Sequence, residues 1–335
     1  MIFRISSILT PIPCTLVLCT LILGVAIVAS SQVPAPLPEY QRQFEAGQYA
    51  PAVRTLESAL ARSPNDARLH FWLARSTYEL MQFDRAIQSF EQACRLDPVN
   101  SDYRLWLARA LGRKAERDRS FFLARRAKRE LDEAVRLAPG NIRARRDLAE
   151  FYSDSPWIVG GSKSKARQEV ETIAQQDPIE GILARADYSR NLDDPDAAAQ
   201  QYRVLLDKKP SRPGPYFEAL DFFESRKDSA QLELFLELAA RLALADPRIA
   251  YYRAVARVFA GKELPEAEKA LRTYIEAGPD RSDMPNHADA HERLGLLYEK
   301  LNSPARAEAE YRVALATDPT RRRALDGLKR VTPQR

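Results

Sequence analysis

The sequence predicts an all-α protein, a right-handed α-solenoid of about eight helix-turn-helix repeats. Three observations support this prediction. Glycine is scarce, with 12 in 335 residues, and the abundant Ala, Leu, Arg and Glu favour helices. No stretch shows the strict polar–apolar alternation of a half-buried strand. The pattern of residues 67–100 recurs in degenerate form at 288–321, and internal repetition of this length is typical of stacked helix pairs.

The first 31 residues differ from the rest and are predicted to be a signal peptide or an N-terminal membrane anchor. Arg4 is the only charged residue before Glu39, and residues 14–29 form an uninterrupted run of apolar or small residues. Cleavage after Ser31 would leave small side chains at the two positions where a signal peptidase needs them.

The apolar run is slightly shorter than the ~20 residues that span a bilayer, so an uncleaved anchor at residues 12–30 is the alternative. In both cases we expect the bulk of the chain to be exported, as a periplasmic or secreted bacterial protein, after a proline-rich linker at 32–38. Membrane contact is expected only if the apolar segment is uncleaved. Cys94 is the one cysteine beyond this segment; it is expected to be buried and has no partner for an internal disulfide.

The two best-matching repeats share their small and apolar positions. Leu73-Ala74 in the first copy corresponds to Leu294-Gly295 in the second. Small residues let two helices approach closely, and proline just past the second helix ends it. The further matches are Ala86 with Ala307, Phe90 with Tyr311, Ala93 with Ala314, and Asp97-Pro98 with Asp318-Pro319.

These residues resemble the tetratricopeptide repeat, and the resemblance covers almost all of residues 39–331. The closing proline recurs at Pro64, Pro98, Pro139, Pro178, Pro210, Pro247, Pro279 and Pro319. The predicted repeats are roughly 39–66, 67–100, 101–141, 142–178, 179–210, 211–247, 248–280 and 288–321, with a capping helix at 322–331. The resemblance implies that the first helices of the repeats line a concave groove that binds a peptide or a partner helix.

Register with the family predicts which residues face this groove. They form a basic stripe with interleaved aromatic residues, in which arginine forks would bind carboxylates. The predicted groove residues are Arg68, Phe71, Arg75, Tyr78, Leu105, Arg109, Arg113, Arg143, Arg146 and Glu150.

A basic band lies at residues 101–147. Fourteen Lys and Arg residues accompany seven Asp and Glu residues there, an excess of +7 in a chain whose net charge is +5. The leading hypothesis is an extracytoplasmic protein-interaction scaffold that binds an extended, acidic peptide or protein segment. Two alternatives stay open: a band that is only solvated helix surface, and a band that binds an anionic cell-wall polymer or membrane surface. No nucleic-acid partner is expected, because export separates the chain from nucleic acid.

Residues 156–166, PWIVGGSKSKA, have the composition of a phosphate-binding loop but not its spacing. That loop needs a lysine directly after its second glycine and a strand before the first. Here Ser162 separates Gly161 from Lys163, and the preceding segment is predicted to be helical. We therefore expect an expanded turn between two helices rather than a nucleotide site, although a helix N-terminus beside lysines could attract an anion.

Each residue of this turn has an expected structural role. Gly160-Gly161 allows a tight reversal, and Ser162 or Ser164 caps the following helix. Trp157 and Ile158 are expected to pack the loop onto the array.

No catalytic or metal-binding arrangement is predicted. The chain has three histidines, and His287 and His291 have a spacing that could place both on one helix face. No third histidine is nearby, and His291 falls at a packing position of the repeat. With no nucleophile–base pattern and no cysteine pair, we expect neither an enzyme nor a cofactor or metal.

Overall fold

The computed structural model describes residues 37–277, 281 and 283–332. The predicted signal or anchor segment, almost all of the linker and Pro279 therefore lie outside the described residues. Residues 38–335 form one compact unit, and the hydrophobic clusters of the described residues all lie within it. Because this unit has its own core, we expect it to fold without the N-terminal segment.

Seventeen α-helices and no strands occur within the described residues, which confirms the predicted all-α solenoid. Most helices are 14 residues long, whereas α5 has 18 and α6 has 17. The helices are α1 (Glu39–Glu45), α2 (Tyr49–Arg62), α3 (Ala67–Glu79), α4 (Phe83–Leu96), α5 (Ser101–Asp118), α6 (Phe121–Leu137), α7 (Ile142–Asp154), α8 (Lys163–Gln176), α9 (Pro178–Asn191), α10 (Pro195–Lys208), α11 (Gly214–Ser225), α12 (Ser229–Leu242), α13 (Pro247–Ala260), α14 (Leu264–Ala277), α15 (His287–Lys300), α16 (Pro304–Thr317) and α17 (Arg322–Val331).

Polar side chains start most of these helices. The side-chain oxygen of each capping residue accepts a hydrogen bond from a backbone N–H of the first turn, which has no partner inside the helix. Pro178 and Pro247, predicted to close a repeat, instead occupy the first helical position of the next one, where the missing N–H costs nothing. The capping residues are Asp66, Asn100, Ser120, Asn141, Ser162, Asp177, Asp194, Asp228, Asp246 and Asn286.

The helices pack as consecutive antiparallel pairs, and each odd-numbered helix also contacts the next odd-numbered one. The odd-numbered helices therefore form one continuous surface, which we call the inner face. The guanidinium of Arg281, just before α15, donates a hydrogen bond of 3.2 Å to the carbonyl of Glu45 at the end of α1. The array thus curves until the segment before its eighth repeat touches its first repeat, so the inner face is concave.

Small residues allow the helices to approach closely, as the repeat pattern predicted. A Cβ added to Gly295 would lie 2.5 Å from the ring of Tyr311 on the paired helix.

Cys94 is buried as expected, and burial raises the pKa of its thiol to about 12. None of the helices within residues 37–277 and 283–332 combines the length and apolarity of a membrane span.

Candidate functional site

A cavity of about 790 Å³ opens on the inner face, between the third and fourth repeats. Its walls come from α3, α5 and α7, from α6 between Phe121 and Leu131, and from the turn that follows α7. The extra helical turns of α5 and α6 extend these walls beyond the end of a standard repeat. Four predicted groove residues line the cavity: Tyr78, Arg109, Arg113 and Glu150.

Trp106 joins two of the predicted arginines beside this cavity. The guanidinium of Arg75 lies 3.6 Å from the centre of the Trp106 ring, and that of Arg109 lies 4.6 Å from it. Arg75 also lies 4.9 Å from the ring of Phe44. Burial lowers the pKa of Arg75 to about 10, and the negative faces of the rings partly replace its hydration. Trp106 was not among the groove residues predicted from the register with the family. It lies three residues before Arg109, however, and this spacing places both residues on one face of the helix.

Arg109 is neutralised inside the protein. Its guanidinium makes two hydrogen bonds to the carboxylate of Asp147, at 2.5 and 2.9 Å. Burial and the neighbouring Asp147 raise the pKa of the Glu150 carboxyl, which lines the same wall. The wall therefore presents a closed ion pair rather than a free positive charge.

Arg146 is also paired, and its partners lie on later repeats. Its guanidinium binds Glu180 at 3.2 Å, Asp187 at 2.6 Å and Glu218 at 2.7 Å. Burial disfavours its charge, but the hydrogen bonds and charges of Glu218 and Asp187 outweigh burial and raise its pKa. Because these carboxylates lie on α9 and α11, Arg146 ties three successive repeats together along the inner face.

Three further predicted groove residues are not available as expected. Leu105 is completely buried in a cluster with Leu131 and Leu148, so the prediction that it faces the groove is wrong. Phe71 packs mainly into the core, with its ring 4.8 Å from that of Tyr103. Arg143 is exposed but bound to both carboxylate oxygens of Asp102, each at 3.1 Å.

The remaining two arginines are accessible. Arg68 is exposed at the start of α3, away from the cavity lining. The side chain of Arg113 is 58% exposed at the cavity rim, and the nearest carboxylate, that of Glu116, is 3.9 Å away. Of the predicted arginines, Arg113 is therefore the one best placed to bind a partner at the cavity.

Most of the basic band is compensated by nearby carboxylates. Arg104 binds Glu130 at 2.9 Å, and Arg145 binds Glu169 at 2.6 Å, both across helices. In the part of the chain that the structure describes, the cations of the band that form no ion pair are Arg119, Arg125 and Arg129. The uncompensated charge is concentrated around the first half of α6.

The turn after α7 is built by its two glycines. Gly160 has φ +111, a conformation that favours glycine, and a Cβ on Gly161 would lie 1.7 Å from the carbonyl oxygen of Ser155. The hydroxyl of Ser162 caps α8, as predicted, by accepting from the N–H of Lys165 at 3.4 Å. The segment is a helix, a short 3-10 turn and a second helix, which is not the strand–loop–helix of a phosphate site.

The expectation that Trp157 and Ile158 pack this turn onto the array is wrong. Trp157 is 84% exposed and Ile158 is 47% exposed, and it is Val159 that is buried. Hydrogen bonds from Gly161 to the carbonyl of Pro156 and from Ser162 to that of Tyr152 fix the backbone, so the turn does not depend on the tryptophan.

The histidines have structural partners. The Nδ1 atom of His291 lies 2.6 Å from a carboxylate oxygen of Glu310 on the paired helix, and His70 contacts the carbonyl of Pro64 at 2.8 Å. Among residues 37–277, 281 and 283–332, no group of three or more His, Cys, Asp or Glu side chains is arranged to hold a metal ion.

A second polar cluster, which the sequence did not indicate, lies in the C-terminal repeats. The guanidinium of Arg293 is almost completely buried and binds Glu224 at 2.7 Å and Glu292 at 3.0 Å. The hydroxyl of Tyr251 donates a second hydrogen bond to Glu224, at 2.8 Å. Nearby Asp221 accepts a hydrogen bond from Tyr252, and although Asp221 is open to the groove, loss of hydration raises its pKa to about 6.

The comparisons with known proteins agree with this architecture. The model of a tetratricopeptide repeat family matches residues 41–100, 74–116 and 254–322. The fold is similar to yeast Tom70, with TM-score 0.57 and 15% identity over 88% of this chain and 60% of that one. It is also similar to human IFIT1, solved as a dimer with m7Gppp-AAAA, with TM-score 0.53 and 16% identity over 87% of this chain and 70% of that one.

A third structure, the APC/C hetero-tetramer Cut9–Hcn1, has TM-score 0.49 and 14% identity; the match covers 88% of this chain but spans only 54% of that one. No curated protein matches the sequence significantly. At these identities the structural likenesses establish the fold alone. Together with the repeat residues, the two likenesses with TM-scores above 0.5 define the molecule as a helical repeat protein of paired helices.

Residues 41–116 and 254–322 match the tetratricopeptide repeat family, and the rest of the described chain continues the same fold of paired helices. Proteins of this family generally act as protein-interaction scaffolds rather than as enzymes.

Proposed function

We propose that this chain is an extracytoplasmic protein-interaction scaffold that binds an extended, partly acidic segment of a partner protein along its inner face. The observation that carries the proposal is the cavity between the third and fourth repeats. Cavities of this size suit one or two large side chains, and such pockets are where binding energy is concentrated in protein interfaces.

The chemistry of the cavity specifies the segment. Apolar groups of Phe151, Val159 and Ala124 contribute to the wall and suit an apolar side chain. At the rim, the accessible cations are Arg113 and Arg119, which would pair with acidic residues of the segment.

The opposite part of the rim gives the segment a direction. Asp154 lies at the end of α7 and Glu150 one turn before it, so hydrogen-bond donors or cations of the segment would bind there. We therefore propose a segment with an apolar anchor, acidic residues on the α5 side and donors on the α7 side. The paired arginines, Arg109 and Arg146, hold the groove in shape.

The test is selection of peptides from a random display library against residues 38–335. The expected result is enrichment of an apolar residue flanked by Asp or Glu. Arg113→Glu should weaken binding of an enriched peptide by roughly tenfold, because it replaces attraction by repulsion at the rim.

The matched control is Arg203→Glu on α10, an exposed arginine that forms no ion pair within the described residues and lies outside the cavity lining. It makes the same change of charge and should leave binding unchanged. Equal weakening by both substitutions would mean that only net charge matters, and the proposed groove site would be rejected.

The extracytoplasmic part of the proposal is supported by the apolar run at residues 14–29. The full chain fused at its C-terminus to alkaline phosphatase, an enzyme that is active only after export, should give phosphatase activity. Replacing Leu21 and Leu23 by arginine should abolish this activity, since charge disrupts the apolar run. Activity that survives the replacement would reject this segment as the export signal.

A further inference from the structure

We propose that the third and fourth repeats carry a binding site for the surface of an anionic lipid bilayer, adjoining the cavity, whose lining includes Phe121 and Arg119. The site consists of an aromatic surface, defined as Phe121, Phe122, Trp157 and Ile158, and the unpaired arginines beside it. The proposal goes beyond the protein-binding function and does not depend on it.

The aromatic surface is assembled from two segments that the standard repeat lacks. One is the start of the lengthened helix α6, where Phe121 is 59% and Phe122 is 71% exposed. The other is the 3-10 turn after α7, where Trp157 is the most exposed of the large apolar side chains in the described residues. Exposed apolar residues are common singly, but a group contributed by two insertions indicates a contact surface.

Direct contacts hold the two segments together. The guanidinium of Arg125, one turn after Phe121 and Phe122, donates a hydrogen bond of 3.0 Å to the carbonyl of Ile158. One turn further along α6, the side chain of Lys128 packs against Gly160 so closely that a Cβ there would lie 2.9 Å from it. The aromatic side chains are therefore presented by a fixed backbone.

The charge around the aromatic surface is complementary to anionic lipid headgroups. Phe122, Arg125 and Arg129 follow a spacing of three and then four residues, which places them on one face of α6. Arg119 lies two residues before that helix, and neither it nor these two arginines forms an ion pair among residues 37–277, 281 and 283–332. Elsewhere each described cation of the band has a carboxylate within 4 Å, so the charge without an ion pair coincides with the exposed aromatic residues.

The shape of the site favours a bilayer over a peptide. Trp157 and Phe122 project from the outside of a turn and a helix start, and neither lines the cavity. A projecting indole with an apolar body and a polar N–H suits the headgroup region of a membrane, and neighbouring arginines bind lipid phosphates. A peptide segment would be held better by the concave cavity nearby.

The experiment measures binding of residues 38–335 to vesicles of one part phosphatidylglycerol and two parts phosphatidylcholine, by sedimentation. Binding is expected to these vesicles, to weaken as salt is raised, and to be at least tenfold weaker with phosphatidylcholine alone. The fluorescence of Trp157 should be quenched by brominated lipid chains, and the loss of that quenching in Trp157→Phe assigns the signal to this residue.

Two variants separate the apolar and the charged contributions. Phe122→Ser with Trp157→Ser should reduce vesicle binding by at least tenfold while the melting temperature stays unchanged, because both side chains are exposed. Arg129→Glu changes two units of charge and should reduce binding by about 30-fold. Arg203→Glu makes the same change on α10 and should retain binding.

Absence of vesicle binding, or binding that the Phe122→Ser and Trp157→Ser variant retains, would overturn the proposal. The second result would indicate adsorption by charge alone. Peptide binding lost in Phe122→Ser with Trp157→Ser, without any vesicle binding, would assign the surface to a protein partner instead. Since Arg113→Glu tests the groove and leaves this surface intact, the two proposals can fail separately.

Discussion

The two halves of the array bury their side chains differently. From Ile182 to Ala324 one continuous apolar core runs through the C-terminal repeats, and it surrounds a buried ionic cluster centred on Arg293. Between Tyr40 and Ala184 the core is divided into four separate clusters. There, large aromatic side chains remain on the surface and three arginines of the basic band have no ion pair within the described residues. In the C-terminal half the buried charged residues contribute to folding. In the N-terminal half the exposed aromatic residues and the arginines without an ion pair remain accessible for binding.

The largest expected effect is a loss of stability in the C-terminal half. Arg293→Ala removes the cation that neutralises Glu224 and Glu292, both almost completely buried. An unpaired buried carboxylate is costly, so the free energy of unfolding should fall by about 3–5 kcal/mol, measured by urea denaturation of residues 38–335.

The control for this prediction is Arg241→Ala, which removes an exposed pair with Glu237 on α12. Exposed pairs contribute little, so its effect should stay below about 0.5 kcal/mol. A loss below about 1 kcal/mol for Arg293→Ala would contradict the view that this cluster supports the C-terminal half.

A smaller effect, on pH dependence, sharpens the comparison. Loss of hydration inside the groove raises the pKa of Asp221 to about 6, above the value of an unfolded aspartate. The folded state therefore binds this proton more tightly, and the stability that the protonated group contributes is lost as pH rises from about 4 to about 6. The Asp221→Asn variant should have the same melting temperature as the unchanged protein at pH 4. At pH 7 its melting temperature should be about 2 °C higher. A melting difference that is the same at both pH values would contradict this assignment.

The matched variant in the N-terminal half is Asp118→Asn at the end of α5. Hydrogen bonds from Arg117 and then Lys114 lower the pKa of Asp118 to about 2. Its contribution to stability is present above about pH 4 and is lost as pH falls towards 2, the opposite direction to Asp221. Because Asp118 and its partners lie at the surface, where solvent screens their charges, the change in melting temperature should be smaller than that of Asp221→Asn.

Much of the fold was predictable because its signals are local. The helix pairs, the small residues at close approaches and the capping of α8 by Ser162 follow from periodicity and from residue chemistry within a few positions. The family resemblance adds the stacking order, since each repeat needs its neighbours to bury its apolar face.

The candidate site was predicted only in part. Tyr78, Arg109, Arg113 and Glu150 do line one cavity, because a residue's register within a helix fixes the side on which it lies. Leu105 shows the limit of that rule: α5 is longer than a standard helix, and the following helices pack over this position.

The sequence by itself determined the all-α class, the repeats and the family, because these depend on patterns that each segment carries locally. Only the tertiary structure decided which charges remain available. Arg146 meets Glu218 from 72 positions away, and no local pattern could pair them. Trp157 has the apolarity of a core residue, yet the hydrogen bonds of its turn hold it outward. The type of a side chain sets the free-energy cost of exposing or burying it. Whether it is exposed or buried depends on the residues that pack around it in the folded protein.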